Sequence, residues 1–332
     1  MNNMLNESLK LHPKIFDDAP EALPLRNGFG EGLLEAAKAD KNVVGLCADL
    51  TVSTRMDAFK KEFPERFVEM GVAEQNLAVV ASGMAAMGKV PFITSYAMFS
   101  PGRNWEQIRT TICYNDRPVK IVGSHAGISV GPDGGTHQAI EDMAIMRVIP
   151  RMVVIAPCDS VEAKKATLAM AKTASPTYLR LAREKTPIMT TPETPFEIGK
   201  AYEMWRSKNP QVAFIGCGPV VHNALKAAKK LAEEGVGSVV LNVHTVKPLD
   251  EESILRVAKE TGAVVTVEEH QIAGGFGSAV AEVLAEQHPV PIAFVGVRDQ
   301  FGQSGKPEEL IEHYGMGMSH IFDAAKRVLG RK

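Results

Sequence analysis

The stretch Gly71-Val72-Ala73-Glu74-Gln75-Asn76 joins a predicted strand to a predicted apolar helix, and it decides how this chain is interpreted. Residues 66–70 precede it as a short strand, and residues 77–87 follow it without a single charged side chain, which predicts a buried helix. A carboxylate that opens such a helix is drawn into the interior, where burial favours the protonated form of an acid. Glu74 is therefore a candidate proton carrier. The alternative is an acid that only stabilises the first helical turn through the helix dipole.

The composition is that of an ordinary α/β protein. The chain has 332 residues, enough for two domains, with 45% hydrophobic, 6% aromatic and 23% charged residues. A net charge of -2 gives no reason to expect nucleic acid or an anionic membrane as a partner.

The cysteines and the N-terminus indicate a reducing compartment. The 4 cysteines (Cys47, Cys113, Cys158 and Cys217) form no C-x-x-C pair, so we interpret them as small buried hydrophobic residues rather than as disulfides or zinc ligands. Residues 1–20 lack the apolar core of a signal peptide, and no apolar run approaches the length of a membrane span. We expect a soluble, cytoplasmic protein.

The order of strands and helices predicts two α/β domains, each with a mostly parallel sheet flanked by helices. The expected division is an N-terminal extension (1–24), a first domain (25–188), a linker (189–200) and a second domain (201–332). The linker prediction rests on a stretch rich in proline and threonine, residues 186–195, which disfavours regular structure.

Two motifs give the chain a family resemblance. The hexapeptide around Glu74 resembles the segment that carries the cofactor-activating glutamate in thiamine diphosphate enzymes of the transketolase group. Residues 131–138 (Gly-Pro-Asp-Gly-Gly-Thr-His-Gln) resemble the substrate-site loop of that group, although many members have proline where this chain has Gly135. The resemblance runs from about Leu25 to the C-terminus and is closest to transketolases made as two separate chains. It implies a pyrimidine-binding domain followed by a transketolase C-terminal domain that serves assembly rather than catalysis.

The resemblance also implies a cofactor site. Glu74 would bind N1' of the thiamine diphosphate pyrimidine, and Asp49 would lie at the edge of the cofactor. Tyr96 and Phe99 would form a flat wall against the pyrimidine. From the residues alone, Asp49 equally fits the cap of a turn, and an aromatic pair three residues apart is more often ordinary core.

The same resemblance implies a site for a sugar phosphate. His125 would meet the phosphate, Asp133 a hydroxyl near the reacting carbon, and His137, as a catalytic residue, the carbonyl oxygen. Arginine suits phosphate because its fork binds two oxygens at once. Four further residues are implied around the substrate phosphate: Arg26, Ser53, Arg180 and Arg183.

One motif of the family is missing from the sequence. Thiamine diphosphate enzymes hold the diphosphate through Mg²⁺ with a Gly-Asp-Gly motif, and hard oxygen ligands of this kind suit that ion. This chain contains no Gly-Asp-Gly. The resemblance thus implies that a separate N-terminal subunit holds Mg²⁺ and the diphosphate, in a two-fold α2β2 assembly that completes the shared cofactor site.

Three alternatives remain at this stage. Two belong to the same superfamily, the β subunit of a 2-oxo-acid dehydrogenase and a deoxyxylulose phosphate synthase fragment. The third is a non-catalytic paralogue that serves as a scaffold. The Asp-Gly-x-Thr-His-Gln pattern of residues 133–138 favours transketolase, and a scaffold has no physical need for Glu74, Asp133 and His137.

Overall fold

The computed structural model describes residues 4–332. Its strands are β1 (Ala22–Pro24), β2 (Val43–Cys47), β3 (Phe67–Glu69), β4 (Val90–Tyr96), β5 (Lys120–Ser124), β6 (Val153–Ile155), β7 (Thr177–Arg180), β8 (Lys185–Pro187), β9 (Tyr202–Arg206), β10 (Pro210–Gly216), β11 (Gly237–Asn242), β12 (Thr245–Lys247), β13 (Val264–Gln271) and β14 (Ile292–Val297). Its α-helices are α1 (Leu25–Ala39), α2 (Asp57–Glu62), α3 (Glu74–Ala86), α4 (Trp105–Gln107), α5 (Asp142–Arg147), α6 (Ser160–Ala171), α7 (Val221–Glu233), α8 (Glu251–Thr261), α9 (Phe276–Gln287), α10 (Pro307–His313) and α11 (Met318–Leu329).

The first domain is built on a seven-stranded sheet in the order β12-β6-β7-β5-β4-β2-β3, parallel except for β12. Every residue of β2 and β5 is buried, because helices cover both faces of the sheet. Successive residues of β2 show the alternation: Val43 packs against α1 and α6, and Val44 packs against α3 on the other face.

The second domain repeats this arrangement on a five-stranded sheet in the order β14-β13-β10-β11-β9, parallel except for β9. In β10, Phe214 faces the cluster formed with α7 and α11, whereas Ile215 faces α8 and α9. The predicted fold class, two α/β domains with mostly parallel sheets and flanking helices, is confirmed.

The two domains share more than a linker. Strand β12 belongs to the second domain in sequence, yet it pairs antiparallel with β6 at the edge of the first sheet. One apolar cluster contains Leu46 and Ile121 from the first domain together with Ile215 and Leu241 from the second. Residues 189–200 contain neither helix nor strand.

The N-terminal segment lies against the second domain rather than projecting from the first. Ile15 is completely buried, and its carbonyl bonds Nε2 of His222 at 2.9 Å. Phe16 packs edge-on against Trp205, with ring centroids 5.9 Å apart. At the end of the segment, β1 pairs antiparallel with β8 just before the linker.

Candidate active site

Glu74 is the first residue of α3 and only 2% exposed. This confirms the expected burial of a carboxylate at the start of an apolar helix. Arg103 Nη1 donates to Glu74 Oε2 at 2.7 Å, and Asn104 Nδ2 donates to the Glu74 carbonyl at 2.9 Å. Within residues 4–332, Arg103 is thus the charged partner of this acid, and its guanidinium also lies 4.9 Å from the ring centroid of Phe99.

The predicted aromatic wall forms at the carboxyl end of β4. Tyr96 and Phe99 are stacked, with centroids 6.2 Å apart and an interplanar angle of 17°. His125 stacks on Tyr96 at 3.9 Å, and His137 meets Phe99 edge-on at 5.5 Å. The structure thus brings both predicted rings and both predicted histidines together, at an edge where open α/β sheets bind ligands.

His125 is held in an unusual backbone conformation at the end of β5. Its φ is 57°, in the left-handed region that non-glycine residues seldom adopt, which is a common feature of functional sites. Its ring bonds Ser124 Oγ at 2.8 Å through Nδ1 and Arg26 Nη1 at 2.8 Å through Nε2. Burial, reinforced by the charges of Arg26 and Arg183, lowers the pKa of His125 to about 3, so the imidazole is neutral near pH 7.

Cations converge beside His125. Burial, followed by the positive charges of Arg55 and Arg183, lowers the pKa of the Arg26 guanidinium. Arg183 reaches the loop that carries Asp133, with Nη1 at 3.5 Å from Asp133 Oδ1. Positive charges that lower the pKa of a neighbouring cation favour an anionic ligand, because an anion would relieve their mutual repulsion.

Arg180 is placed differently from its neighbour Arg183. Its side chain is 4% exposed and bonds Asp142 Oδ2 at 2.9 Å, and its Nη2 donates to the Glu269 carbonyl at 2.8 Å. These contacts tie the first domain to the second and support a structural role, so we do not include Arg180 in the proposed substrate site.

Asp49 and Ser53 lie on the loop after β2. The backbone N–H of Asp49 donates to Glu69 Oε1 at 2.7 Å, its φ is 58°, and its side chain is exposed. Ser53 is half-buried, two residues before Arg55. Across residues 4–332, no side-chain hydrogen bond links Asp49 or Ser53 to Glu74, to His125 or to the residues that bond them.

A cavity of about 950 Å³ opens between the two domains, beside the predicted substrate-site loop, where Ser129 and Glu269 contribute to its lining. No group of three or more His, Cys, Asp or Glu side chains within the described chain is arranged to hold a metal ion. Among the helices of residues 4–332, none is long and apolar enough to cross a membrane.

Three residues of the site are absent from the sequence-based prediction. Arg55 and Arg103 reach it through tertiary contacts, and single arginines carry no sequence signal for that. The third is Gln138, which lies inside the predicted loop motif and is 2% exposed. Its position directly after His137 in the motif is the sequence feature that could have identified it as a site residue.

Comparisons with known proteins identify the family of this chain. Residues 21–189 match the model of the transketolase pyrimidine-binding domain, and residues 200–321 match the transketolase C-terminal domain. The chain is 42% identical to the 6-deoxy-6-sulfo-D-fructose transketolase subunit SqwH of Clostridium sp., over 93% of this chain and 95% of that protein. It is 36% identical to transketolase of Rattus norvegicus, over 92% of this chain but 49% of that protein.

A solved structure extends the likeness to the whole fold. The structure described as "Split gene transketolase, inactive beta4 tetramer" superposes with a TM-score of 0.86 at 41% identity, covering 93% of this chain and 99% of that one. With both family models in the expected order and relatives matched over nearly their full length, this chain belongs to the transketolase family.

Proposed function

We propose that this chain is the C-terminal subunit of a two-chain transketolase that moves a two-carbon ketol unit from a ketose phosphate to an aldose phosphate. One observation carries the proposal. The buried acid Glu74, the stacked rings of Tyr96 and Phe99, and the histidine–arginine cluster form one continuous chain of contacts.

The residues fit the pyrimidine of thiamine diphosphate. Arg103 already holds a flat, N–H-bearing cationic group against both the Glu74 carboxylate and the Phe99 ring, so the space accepts a planar donor there. Bound at this site, thiamine diphosphate would supply the carbanion chemistry that amino-acid side chains lack.

This chain's own residues would then divide the work around the cofactor. Glu74 would hold a proton at N1' of the pyrimidine, and its burial keeps water from competing for that bond. Tyr96 and Phe99 would orient the ring, with Asp49 at its edge. Arg103 would leave its bond to Glu74, because its guanidinium now lies over the Phe99 ring, where the pyrimidine would bind.

On the substrate side, charge sets the orientation of the sugar. Arg26, Arg183 and Ser53 would bind the phosphate. In the structure Arg26 donates to His125 Nε2, so a neutral His125 would donate to the phosphate from Nε2 only once Arg26 turns from that nitrogen to the phosphate and Ser124 Oγ donates to Nδ1. At the reacting end of the sugar, Asp133 would bind a hydroxyl group and His137 would bind the carbonyl oxygen. The edge-on contact of His137 with Phe99 supports this, since it places the imidazole next to the proposed pyrimidine wall.

The missing half of the site defines the partner. We infer that a separate subunit carrying Gly-Asp-Gly binds the diphosphate through Mg²⁺ and pairs with this chain in an α2β2 assembly. The solved relative described as an inactive β4 tetramer supports the view that such chains need a partner.

We keep the division into extension 1–24, pyrimidine-binding domain 25–188, linker 189–200 and C-terminal domain 201–332. A cytoplasmic location belongs to the same proposal, supported by four free, buried cysteines.

The first experiment measures ketol transfer from xylulose 5-phosphate to ribose 5-phosphate with thiamine diphosphate and Mg²⁺ present. The chain is assayed alone, then with a candidate partner carrying Gly-Asp-Gly, then as Glu74→Gln in the same mixture. We expect activity only in the complex, and its loss in the variant, because an amide cannot carry the proton that Glu74 holds.

Other outcomes separate the alternatives. Substantial activity of the chain alone would refute the two-subunit proposal. A complex that binds thiamine diphosphate but does not use xylulose 5-phosphate would indicate another donor, and 6-deoxy-6-sulfofructose is the next one to assay, given the relative that is named for it.

A further inference from the structure

The C-terminal domain lies directly on the loop that carries the proposed substrate residues. We call residues 128–138 the substrate loop and residues 302–307 the brace. Three glycines of the loop face the brace so closely that a side chain would overlap it. A Cβ atom at each would lie 2.9 Å from Pro307 Cγ for Gly131, 2.7 Å from Ser304 Oγ for Gly134, and 2.6 Å from the Gly302 carbonyl oxygen for Gly135.

Gln138 connects the loop to the brace from inside. Its Nε2 donates to the Ile128 carbonyl at 3.0 Å and to the Gln303 carbonyl at 3.0 Å, with the Gly131 carbonyl at 3.4 Å. A Cβ on Gly302 would overlap Gln138 Oε1. One buried amide thus joins both ends of the loop to a segment 165 residues away in sequence.

The loop turns sharply in its first half. Gly131 has φ 76° and ψ -111°, a conformation reserved for glycine, and it separates two short helical turns. Asp133 lies between the braced positions 131 and 134, and His137 directly precedes the buried amide. Their positions therefore depend on contacts made by the second domain.

We propose that Gln138 is a positioning residue and that the C-terminal domain, through the brace, sets how well the substrate loop binds the sugar phosphate. This inference rests on the proposed function, and it assigns to the C-terminal domain a part in substrate binding beyond assembly.

The test replaces Gln138 with methionine, which keeps the length of the side chain and removes its donors. In the assembled enzyme, Gln138→Met should raise KM for the ketose phosphate about tenfold, since about two modest hydrogen bonds are lost. The kcat should fall by no more than about threefold, because His137 keeps its contact with Phe99, and the affinity for thiamine diphosphate should not change, because the Glu74 site is separate. Gly302→Ala, which displaces the amide from the other side, should give the same pattern.

Gln303→Ala is the matched control. Its side chain is exposed, and the carbonyl that accepts from Gln138 is retained, so KM should stay at the wild-type value. A KM that is unchanged in both Gln138→Met and Gly302→Ala would overturn the proposal. So would a loss confined to kcat, which would make Gln138 part of the chemistry rather than of substrate binding.

Hydrogen exchange of the chain alone provides a readout that does not need activity. In Gln138→Met, peptides from residues 128–138 should exchange about tenfold faster, whereas peptides from α3 should exchange as in the wild type. Unchanged exchange in the loop would refute the brace. If the wild-type complex shows no ketol transfer, the proposed function fails, and the exchange data still decide whether Gln138 holds the loop.

Discussion

Arg103 and Glu74 form a pair in which one member is buried and the other half-exposed. Glu74 is 2% exposed, whereas 49% of the Arg103 side chain is exposed. Removing a partner from a buried charge is costly, because the remaining charge is left without compensation. The partial exposure of Arg103 reduces that cost through solvent screening.

Arg103→Ala should therefore destabilise the isolated chain by about 1–3 kcal/mol. The double variant Arg103→Ala, Glu74→Gln should recover most of the loss, since a neutral amide needs no counter-charge. Urea unfolding of the four proteins of the cycle measures this. Equal stability of Arg103→Ala and the wild type would show that the pair contributes nothing.

His125 predicts a pH effect whose sign is fixed by its low pKa. An unfolded histidine takes up a proton near pH 6.5, but folded His125 does so only at about pH 3. Between these values the unfolded chain binds more protons, so stability is lost as the pH falls through this window.

His125→Asn removes this group while tolerating the left-handed φ. Between about pH 7.5 and about pH 4.5, the wild type should lose on the order of 2 kcal/mol more unfolding free energy than the variant. Other buried histidines are common to both proteins and cancel in the comparison. Parallel losses in urea titrations at the two pH values would contradict the assignment.

At the level of single residues, the sequence predicted only those features that depend on neighbouring residues in the chain. Glu74 was expected to be buried because apolar residues follow it without interruption, and that holds. The Arg103–Glu74 contact spans 29 residues, and no periodic pattern signals it. For Arg180, in contrast, a local pattern suggested a ligand-binding residue, and the structure shows a buried structural one. Its position at a strand end resembles a ligand site, but its hydrogen bond to the Glu269 carbonyl depends on how the two domains pack.

At the scale of elements, the N-terminal segment was expected as an extension of undefined role, and the structure packs it on the second domain. The sequence offers little indication of this packing, because short apolar pairs such as Ile15-Phe16 lie among polar residues. Ile15→Ala should cost about 2–4 kcal/mol of unfolding free energy, since it leaves a cavity beside buried neighbours.

The adjacent exposed residue supplies the control for that measurement. Lys14→Ala should change stability by no more than about 0.5 kcal/mol. If Ile15→Ala matched Lys14→Ala in chemical denaturation, the segment would not be part of the folded core.

At the scale of the molecule, one apolar cluster crosses both domains and β12 completes the first sheet. Sequence patterns predicted two sheets correctly, since strand and helix periods are local. They did not predict that β12 joins the sheet of the first domain, because nothing in the sequence of a three-residue strand indicates which sheet it will pair with.

This sharing predicts a single unfolding transition. The chain has 2 tryptophans, Trp105 in the first domain and Trp205 in the second, so each domain has its own reporter. In each of Trp105→Phe and Trp205→Phe, the midpoint from the remaining tryptophan's fluorescence should coincide with the midpoint from far-ultraviolet circular dichroism of the same variant. Different midpoints for the two probes within one variant would mean that the domains unfold independently.

Strand β12 also limits how this protein can be divided or recombined. A fragment that ended at the linker would present β6 as a bare sheet edge, with backbone groups free to pair with another copy, and we expect such a fragment to aggregate. A chimera that exchanged C-terminal domains between relatives would have to match Thr245–Lys247 to the strand that receives it. The unit of modular exchange is therefore the whole chain, although each of its halves has the appearance of a domain.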